Sequence, residues 1–238
     1  PSRSNTTVQS ASAPALMECS FGRRAPPARR AAPPHELERG ADSDKQDAHM
    51  NSRARAAIIL AAGQGTRMKS ATPKVLHAVG GLALIDWALA VTGKLGCEKT
   101  VTVVGAHAPE VGRHVEARGG ASAIQDPPLG TAHAVLAAKE ALAGFEGDLV
   151  VLFGDTPLIR PETVEAMFAK RAEKGGIVAL GFEAANPTGY GRLVRGGDDV
   201  IERIVEEKDA NAAERALTLC NSGVLVADAK VLFQLLSM

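Results

Sequence analysis

One short segment combines glycines and cations in a spacing that suits phosphate binding. Residues 56–60 are apolar and partly β-branched, which is typical of a buried strand, and they run almost directly into Gly63 and Gly65. Without Cβ atoms, both glycines can adopt positive φ and turn their N–H groups toward an anion. Arg67 adds a bidentate guanidinium and Lys74 a compact ammonium on the same side. The segment therefore predicts a triphosphate site.

Two common phosphate-binding loops do not match this segment. The dinucleotide-binding loop needs a third glycine where Met68 stands. The P-loop needs four residues between its glycines, followed by Lys and Ser or Thr, whereas here one residue separates the glycines and Thr66-Arg67 follows. A Gly-x-Gly pair on its own is also compatible with a simple turn, so the preceding strand and the two cations carry the prediction.

A second candidate lies where a short strand meets a helix. Gln125 presents a donor and an acceptor side by side, which suits the edge of a pyrimidine. Gly130 allows a planar base to approach closely, and Thr131 is predicted to cap the following helix. The alternative is a plain helix start beside an exposed glutamine. His133 falls inside the helix and is predicted to be structural.

A third candidate is a carboxylate at the end of the apolar strand 149–153. Asp155 follows Gly154 and precedes Pro157, so it should be held rigidly at the carboxyl edge of the sheet. Carboxylate oxygens are hard ligands that suit Mg²⁺, which takes one or two protein carboxylates together with phosphates and waters. The alternative is that Asp155 only ends the strand through an Asx turn.

Composition narrows the classes of function. Lysines and arginines total 27, as do aspartates and glutamates, so the 238-residue chain has no net charge that would favour nucleic acid. Cys19, Cys97 and Cys220 are odd in number and widely spaced, which predicts neither a disulfide framework nor a metal pair and favours a reducing cytoplasm. No apolar run reaches the roughly 20 residues of a membrane span.

The chain divides near residue 50. Residues 1–50 are rich in Pro, Ser, Ala and Arg and are predicted to be a disordered extension, because they hold too few apolar residues to form a core. The alternatives are a transit peptide, which the acidic residues disfavour, or sequence upstream of a natural start at Met50. The domain is predicted to span 51–238. Residues 228–238 predict an uncapped terminal helix, so we expect the domain to be incomplete at this end.

Alternating elements predict the fold class of residues 51–238. Apolar strands are predicted at 56–60, 100–104, 149–153 and 177–182, and helices at 83–94, 109–117, 131–143 and 162–174. This alternation predicts an α/β, Rossmann-like fold with a mostly parallel sheet and helices on both faces. Ligands of such sheets bind at the carboxyl ends of the strands, which is where the glycine loop falls.

The segment Leu60–Met68, followed by Pro73-Lys74, resembles the signature of the sugar-nucleotidyltransferases. The resemblance is strongest to the pyrophosphorylase half of bifunctional UDP-N-acetylglucosamine pyrophosphorylases that are also glucosamine-1-phosphate N-acetyltransferases. It runs from about Ala56 to the end of the chain. It implies the nucleotide-diphospho-sugar transferase fold.

The resemblance also implies roles for particular residues. Gln125 and Gly130 would contact uracil, Thr131 would belong to the same pocket, and Asp155 would bind Mg²⁺. Gly191, Glu206 and Asn221 would line an amino-sugar pocket, although 206–209 otherwise looks like a solvated charge run. Arg67 and Lys74 would be catalytic. The implied substrate-binding residues of the loop are Leu60, Ala61, Ala62, Gly63, Gly65 and Lys74.

The implied reaction is uridylyl transfer with Mg²⁺ as cofactor. UTP and N-acetylglucosamine 1-phosphate would give UDP-N-acetylglucosamine, a cell-envelope precursor, and pyrophosphate. The alternatives are a nucleotidyltransferase with another base or acceptor, and a non-catalytic nucleotide-sugar binding module. In the family, a second metal ligand and the acetyltransferase domain lie beyond the position of Met238. The oligomeric state is left open, with a homo-oligomer through that C-terminal domain as one alternative.

Overall fold

The computed structural model describes residues 16–19, 53–197 and 200–238. The strands are β1 (Leu16–Cys19), β2 (Arg55–Ala61), β3 (Ala78–Val79), β4 (Leu82–Ala83), β5 (Lys99–Gly105), β6 (Ala121–Gln125), β7 (Asp148–Phe153), β8 (Ile177–Glu183), β9 (Arg192–Arg195), β10 (Ile201–Val205) and β11 (Leu219–Asp228). The helices are α1 (Leu84–Lys94), α2 (Pro109–Glu116), α3 (Thr131–Ala137), α4 (Pro161–Lys174), α5 (Ala212–Arg215) and α6 (Ala229–Leu236). Two 3₁₀ turns, Thr66–Met68 and Lys74–Leu76, follow β2.

The main sheet is mixed, with its parallel part under the glycine loop. Its order through the described residues is β1-β8-β11-β7-β2-β5-β6, and β9 and β10 branch from β11. Strands β7, β2, β5 and β6 are parallel neighbours. Strand β11 lies antiparallel between β7 and β8. The predicted mostly parallel α/β sheet is therefore confirmed, with β11 as an antiparallel strand between β7 and β8.

Apolar residues on both faces of β2 explain its nearly continuous hydrophobic sequence. Ile59 belongs to a core cluster that contains buried side chains of α1, α2 and α4. Ile58 belongs to a second cluster that contains side chains of α3 and α6. Both isoleucines are fully buried. A strand buried on both faces has no reason to alternate polar and apolar residues.

Two helix ends differ from the prediction. Helix α3 ends at Ala137 rather than at 143, because Ala138 N donates to Val135 O three residues back, which tightens the last turn. Helix α6 was predicted to be uncapped, and this was wrong. The Asp228 carboxylate accepts a hydrogen bond of 2.9 Å from Val231 N and caps the helix.

A cluster of charged residues connects the start of β7 to the end of β11, at the end of the sheet opposite the glycine loop. Arg53 contacts Asp228 at 2.6 Å and Asp148 at 3.3 Å, and Arg171 lies 3.5 Å from Asp148. Burial raises the pKa of the Asp148 carboxyl. Burial acts in the same sense on Asp228, but hydrogen bonds from Val231 N and Arg53 outweigh it and lower the pKa of that carboxyl.

Three further sequence predictions concern the N-terminal residues, the cysteines and membrane-spanning segments. The prediction of disorder for residues 1–50 lies outside the described residues, except that Leu16–Cys19 form strand β1 against β8. Cys97 and Cys220 are free thiols, and burial raises the pKa of Cys97 to about 11, so neither sequence nor structure makes it a nucleophile. None of the described helices is long and apolar enough to cross a membrane.

Candidate functional site

The loop after β2 depends on one of its two glycines for its shape. Gly65 has φ 59° and begins the 3₁₀ turn Thr66–Met68, in which Met68 N donates to Gly65 O at 2.9 Å. A Cβ at Gly65 would lie 2.8 Å from the Lys74 Cβ. Gly63 does not have positive φ, and a Cβ there would meet nothing within 4 Å. The prediction that both glycines adopt positive φ is therefore correct for Gly65 and wrong for Gly63.

Lys74 and Asp155 form an ion pair across the site. Lys74 opens the second 3₁₀ turn, and its Nζ lies 2.6 Å from Asp155 Oδ2. Both side chains are partly exposed, at 38% and 30% respectively. The pair therefore joins the predicted phosphate-binding cation to the predicted metal-binding carboxylate, and the charge of each is balanced by the other.

Close backbone packing positions Asp155 at the end of β7. Gly154 N donates to Leu60 O at 2.9 Å, so the chain after β7 stays against β2. A Cβ at Gly154 would lie 3.3 Å from the Val75 side chain and 3.4 Å from the Ala61 Cβ. The absence of a side chain at this position lets the strand end approach the loop, and Asp155 follows at once.

Gln125 is buried and its orientation is fixed by hydrogen bonds. It is the last residue of β6 and only 4% exposed, so the alternative of an exposed glutamine is wrong. Its Nε2 donates to Gly130 O at 2.9 Å and lies 3.1 Å from His133 Nδ1. Thr131 was predicted to cap α3, but Gly130, with φ 101°, is the N-cap and contributes no side chain. Thr131 is instead the exposed first residue of the helix.

These elements surround one cavity of about 610 Å³. Phe153 and Pro128 add apolar wall to it. Arg67 belongs to the first 3₁₀ turn, but its side chain lies outside the part of the chain that the structure describes. The predicted site residues that line the cavity are Leu60, Ala61, Ala62, Gly63, Gly65, Lys74, Gln125, Gly130, Thr131 and Asp155.

The three residues predicted for an amino-sugar pocket form a separate group. Asn221 N donates to Gly191 O at 2.8 Å. A Cβ at Gly191 would lie 3.3 Å from Glu206 Oε1, so the glycine leaves room for this carboxylate. None of the three is among the residues that line the 610 Å³ cavity. The structure thus brings the three together, but beside the cavity rather than in it.

An irregularity in β11 connects this group to the cavity. The register of β11 against β8 shifts between Asn221 and Leu225. Within it, Gly223 has φ 83°, and its N–H donates to Asn221 Oδ1 at 2.9 Å. A Cβ at Gly223 would overlap the ring of Phe153, a residue of the cavity wall, at 2.5 Å. The glycine therefore brings this part of β11 against the cavity wall, two residues after Asn221.

Sequence reasoning missed Arg192, which is the largest fully buried side chain in the described residues. Its Nε donates to Leu217 O at 3.0 Å, and its other nitrogens donate to the carbonyl oxygens of Tyr190 and Arg215 and to Glu207. The contact with Glu207 Oε2 is 2.7 Å. One signal was available: an arginine that follows the turn-rich segment and precedes the apolar pair Leu193-Val194.

Arg192 contacts chain neighbours of two residues of the predicted amino-sugar group, through the Tyr190 carbonyl and the Glu207 carboxylate. It anchors the residue before Gly191 and the residue after Glu206. The hydrogen bond from its guanidinium lowers the pKa of the Glu207 carboxyl. Residues 206–209 are therefore not a simple solvated charge run, because Glu207 is tied to a buried cation while Glu206 stays exposed.

Comparison with curated proteins found relatives that are longer than this chain. The "Bifunctional protein GlmU" of Caulobacter vibrioides is 55% identical over 187 residues, which cover 78% of this chain and 40% of that protein. The protein of the same name from Maricaulis maris is 55% identical over 185 residues, covering 78% and 41%. The chain thus spans about 40% of the length of the curated relatives it matches.

Solved structures and family models agree on the fold. A UDP-glucose pyrophosphorylase complexed with UDP-glucose superposes with a TM-score of 0.62 at 20% sequence identity, covering 77% of this chain and 79% of that one. The apo form of a UDP-glucose pyrophosphorylase gives a TM-score of 0.63 at 21% identity. The family model for the MobA-like NTP transferase domain matches residues 57–218, which include the loop, Asp155, Gly191 and Glu206. The chain belongs to the family of MobA-like NTP transferase domains.

Proposed function

We propose that this chain is a uridylyltransferase that makes UDP-N-acetylglucosamine and pyrophosphate from UTP and N-acetylglucosamine 1-phosphate. The observation that carries the proposal is the convergence of the glycine loop, Lys74, Asp155 and Gln125 on one cavity. The relatives named GlmU, at 55% identity, support this choice within the family. The proposed nucleotidyltransferase domain spans residues 51–238, and strand β1 of the preceding extension pairs with its sheet.

The triphosphate binds to the loop and its cations. Gly63 and Gly65 line the cavity, and Gly63 leaves open space where a side chain would stand. Lys74 exchanges its Asp155 partner for an α-phosphate oxygen when the nucleotide binds, which an ammonium group on a flexible stem can do. Arg67 holds the β- and γ-phosphates, for which its bidentate guanidinium is suited.

Asp155 is the residue that fits Mg²⁺. Its carboxylate lines the cavity and is partly exposed, and the described residues contain no group of three or more His, Cys, Asp or Glu side chains that could form another metal site. One carboxylate is sufficient for Mg²⁺ when phosphates and waters complete its octahedron. When bound, the ion neutralises negative charge on the phosphates.

The remaining pockets select the base and the sugar. Gln125 and Gly130 contact uracil at the end of the cavity that α3 borders. The N-acetylglucosamine moiety lies against Gly191, Glu206 and Asn221, where Glu206 accepts hydrogen bonds from hydroxyl groups and Asn221 can donate and accept. Gly223, which follows Asn221 by two residues, packs against Phe153 of the cavity wall, and this closeness supports placing the sugar beside the nucleotide.

Catalysis rests on positioning and charge. An oxygen of the sugar phosphate attacks the α-phosphorus of UTP, the bond to the β-phosphate oxygen breaks, and pyrophosphate leaves. A phosphate dianion needs no general base, so the protein holds the reactants in line and stabilises the growing negative charge. Removal of one such charged contact typically costs about 2–4 kcal/mol of transition-state stabilisation.

The test is Mg²⁺-dependent pyrophosphate release from UTP and N-acetylglucosamine 1-phosphate. We expect UTP to be preferred over ATP and GTP, because purines exceed a pocket shaped for a pyrimidine. Equal use of all nucleotides would favour another nucleotidyltransferase, and nucleotide binding without turnover would favour a binding module. The free thiols of Cys97 and Cys220 support a reducing compartment, so we place the reaction in the cytoplasm, where it supplies cell-envelope precursors.

A further inference from the structure

The side-chain amide of Gln125 is held by two partners. Both hydrogen bonds recorded for this side chain use Nε2, one to Gly130 O at 2.9 Å and one to His133 Nδ1 at 3.1 Å. A carbonyl oxygen can only accept, so the nitrogen of the amide, and not its oxygen, must face Gly130. An amide nitrogen can only donate, so the 3.1 Å contact is a hydrogen bond when His133 Nδ1 accepts and the ring hydrogen is on Nε2.

This arrangement leaves Oε1 as the acceptor of the Gln125 side chain. Gln125 is only 4% exposed but lines the cavity. Few of its atoms can therefore contact a ligand, and whether they donate or accept decides which ligand groups they can bind. Both amide hydrogens are taken by Gly130 and His133. The glutamine therefore presents a hydrogen-bond acceptor, and no donor, to a ligand in the cavity.

His133 does not line the cavity, but it contacts Gln125, which does. It lies on α3 between two residues of the cavity wall, Thr131 and Ala134, but it is not itself a lining residue. Its side chain is half-buried rather than part of the core. The only side-chain hydrogen bond recorded for it in the described residues is the one to Gln125.

We propose that His133 is a positioning residue that sets base selection by locking the Gln125 amide with its oxygen toward the base. The proposal rests on the proposed uridylyl transfer. Uracil carries a donor at N3–H, which matches an acceptor, whereas cytosine carries an acceptor at N3 and is repelled by one. Without His133, the amide keeps only its hydrogen bond to Gly130 O. It then rotates more easily, and its N–H can donate to N3 of cytosine.

A matched pair of variants tests the role. His133→Asn and His133→Leu introduce side chains of the same branched shape, but only asparagine keeps an acceptor close to the position of Nδ1. We expect His133→Leu to lower the UTP-to-CTP ratio of kcat/KM roughly five- to tenfold, the effect of one lost neutral hydrogen bond. His133→Asn should keep the ratio within about twofold of the unsubstituted protein. Thermal unfolding of each variant checks its fold, and His133→Ala replaces His133→Leu if the latter does not fold.

The readouts separate this role from a structural one and from the proposed reaction. Equal losses for UTP and CTP in His133→Leu, with the ratio unchanged, would overturn the positioning role. If the unsubstituted protein binds UTP but releases no pyrophosphate, the proposed reaction fails, and the ratio of the UTP and CTP dissociation constants in the same variants then decides the role of His133. Failure of the unsubstituted protein to bind either nucleotide would overturn both.

Discussion

The glycine loop after β2 and the segment around Arg192 both border the proposed site, but different forces shape them. The loop is shaped locally: Gly65 takes a left-handed conformation, and its missing side chain makes room for Lys74 nine residues on. The second segment is shaped by a buried guanidinium that ties Tyr190 to residues 207, 215 and 217. The sequence indicates the local backbone conformation of the loop, but it does not indicate which distant residues a buried arginine contacts.

Mutations in the two regions should have different consequences for the protein. Damage to the loop should impair nucleotide chemistry while the fold survives, because its charged residues are partly exposed. Damage at Arg192 should first impair the fold of residues 190–217, because one fully buried guanidinium donates to three backbone carbonyls in this range. The following variants test this division, beginning with the largest effect.

Replacement of Lys74 should have the largest effect on activity. Lys74→Ala removes a charge that we place on the α-phosphate, so kcat for pyrophosphate release should fall roughly 30- to 1,000-fold, equivalent to about 2–4 kcal/mol. Lys74→Arg should not restore it, because a planar guanidinium does not replace a compact charge. Arg67→Ala should behave in the same way as Lys74→Ala.

A control lysine checks that the effect is local. Lys99 is exposed at the start of β5, away from the cavity, so Lys99→Ala should keep full turnover. Unchanged turnover of Lys74→Ala at saturating UTP and Mg²⁺ would remove Lys74 from the proposed mechanism.

Arg192→Met should have the largest effect on stability. It removes a fully buried guanidinium with its hydrogen bonds to three carbonyl oxygens and to Glu207, and we expect a loss of about 3 kcal/mol in the free energy of unfolding. Urea denaturation measures this. In protein that remains folded, KM for the sugar phosphate should rise more than KM for UTP, because Arg192 anchors the residues beside Gly191 and Glu206.

Arg203 supplies the matched control for this variant. It forms an ion pair with Glu214 but its side chain is 60% exposed, so Arg203→Met should cost less than about 1 kcal/mol. Equal losses in the free energy of unfolding for the two variants would mean that the burial of Arg192 does not stabilise the segment around it. That result would contradict the comparison.

The two glycines of the loop should respond differently to the same added methyl group. Gly65→Ala forces an alanine into positive φ and against Lys74, so we expect a loss of about 1–2 kcal/mol in stability together with reduced turnover. Gly63→Ala places its methyl group in open space that belongs to the cavity, so stability should hold and KM for UTP should rise. Thermal unfolding and steady-state kinetics of both variants measure the difference. A Gly63→Ala variant less stable than Gly65→Ala would contradict the assigned conformations.

The smallest expected effect is a pH dependence from Glu207. Arg192 lowers the pKa of this carboxyl in the folded protein, so its contribution to stability is present above the ordinary glutamate pKa and is lost as the pH falls through the lowered value. Glu207→Gln should therefore be less stable than the unsubstituted protein at neutral pH, and the gap should close on acidification. Urea midpoints across this range measure it, with Glu98→Gln as an exposed control. A gap that is independent of pH would indicate a role other than charge.

Much of the site could be predicted because its chemistry is local in sequence. The apolar segments predicted the ends of β2, β5, β7 and β8 within one or two residues. This worked because a strand that is buried on both faces is a nearly continuous apolar run in the sequence. The loop from Gly63 to Lys74 was predicted from residue types and spacing alone. Those same types could not show that Gly63 and Gly65 differ, since φ depends on how the loop packs.

The sequence by itself determined the α/β fold class, the glycine loop and its cations, and the carboxylate at the end of β7. The tertiary structure alone decided which partners these groups have: Lys74 with Asp155 across 81 residues, Gln125 with His133, and Arg192 with Glu207. The physical reason is that residue type limits what a group can bond, while its partner depends on which segments the sheet brings within about 3 Å. That proximity is a property of the folded chain, because strand order and register, rather than spacing along the chain, set it.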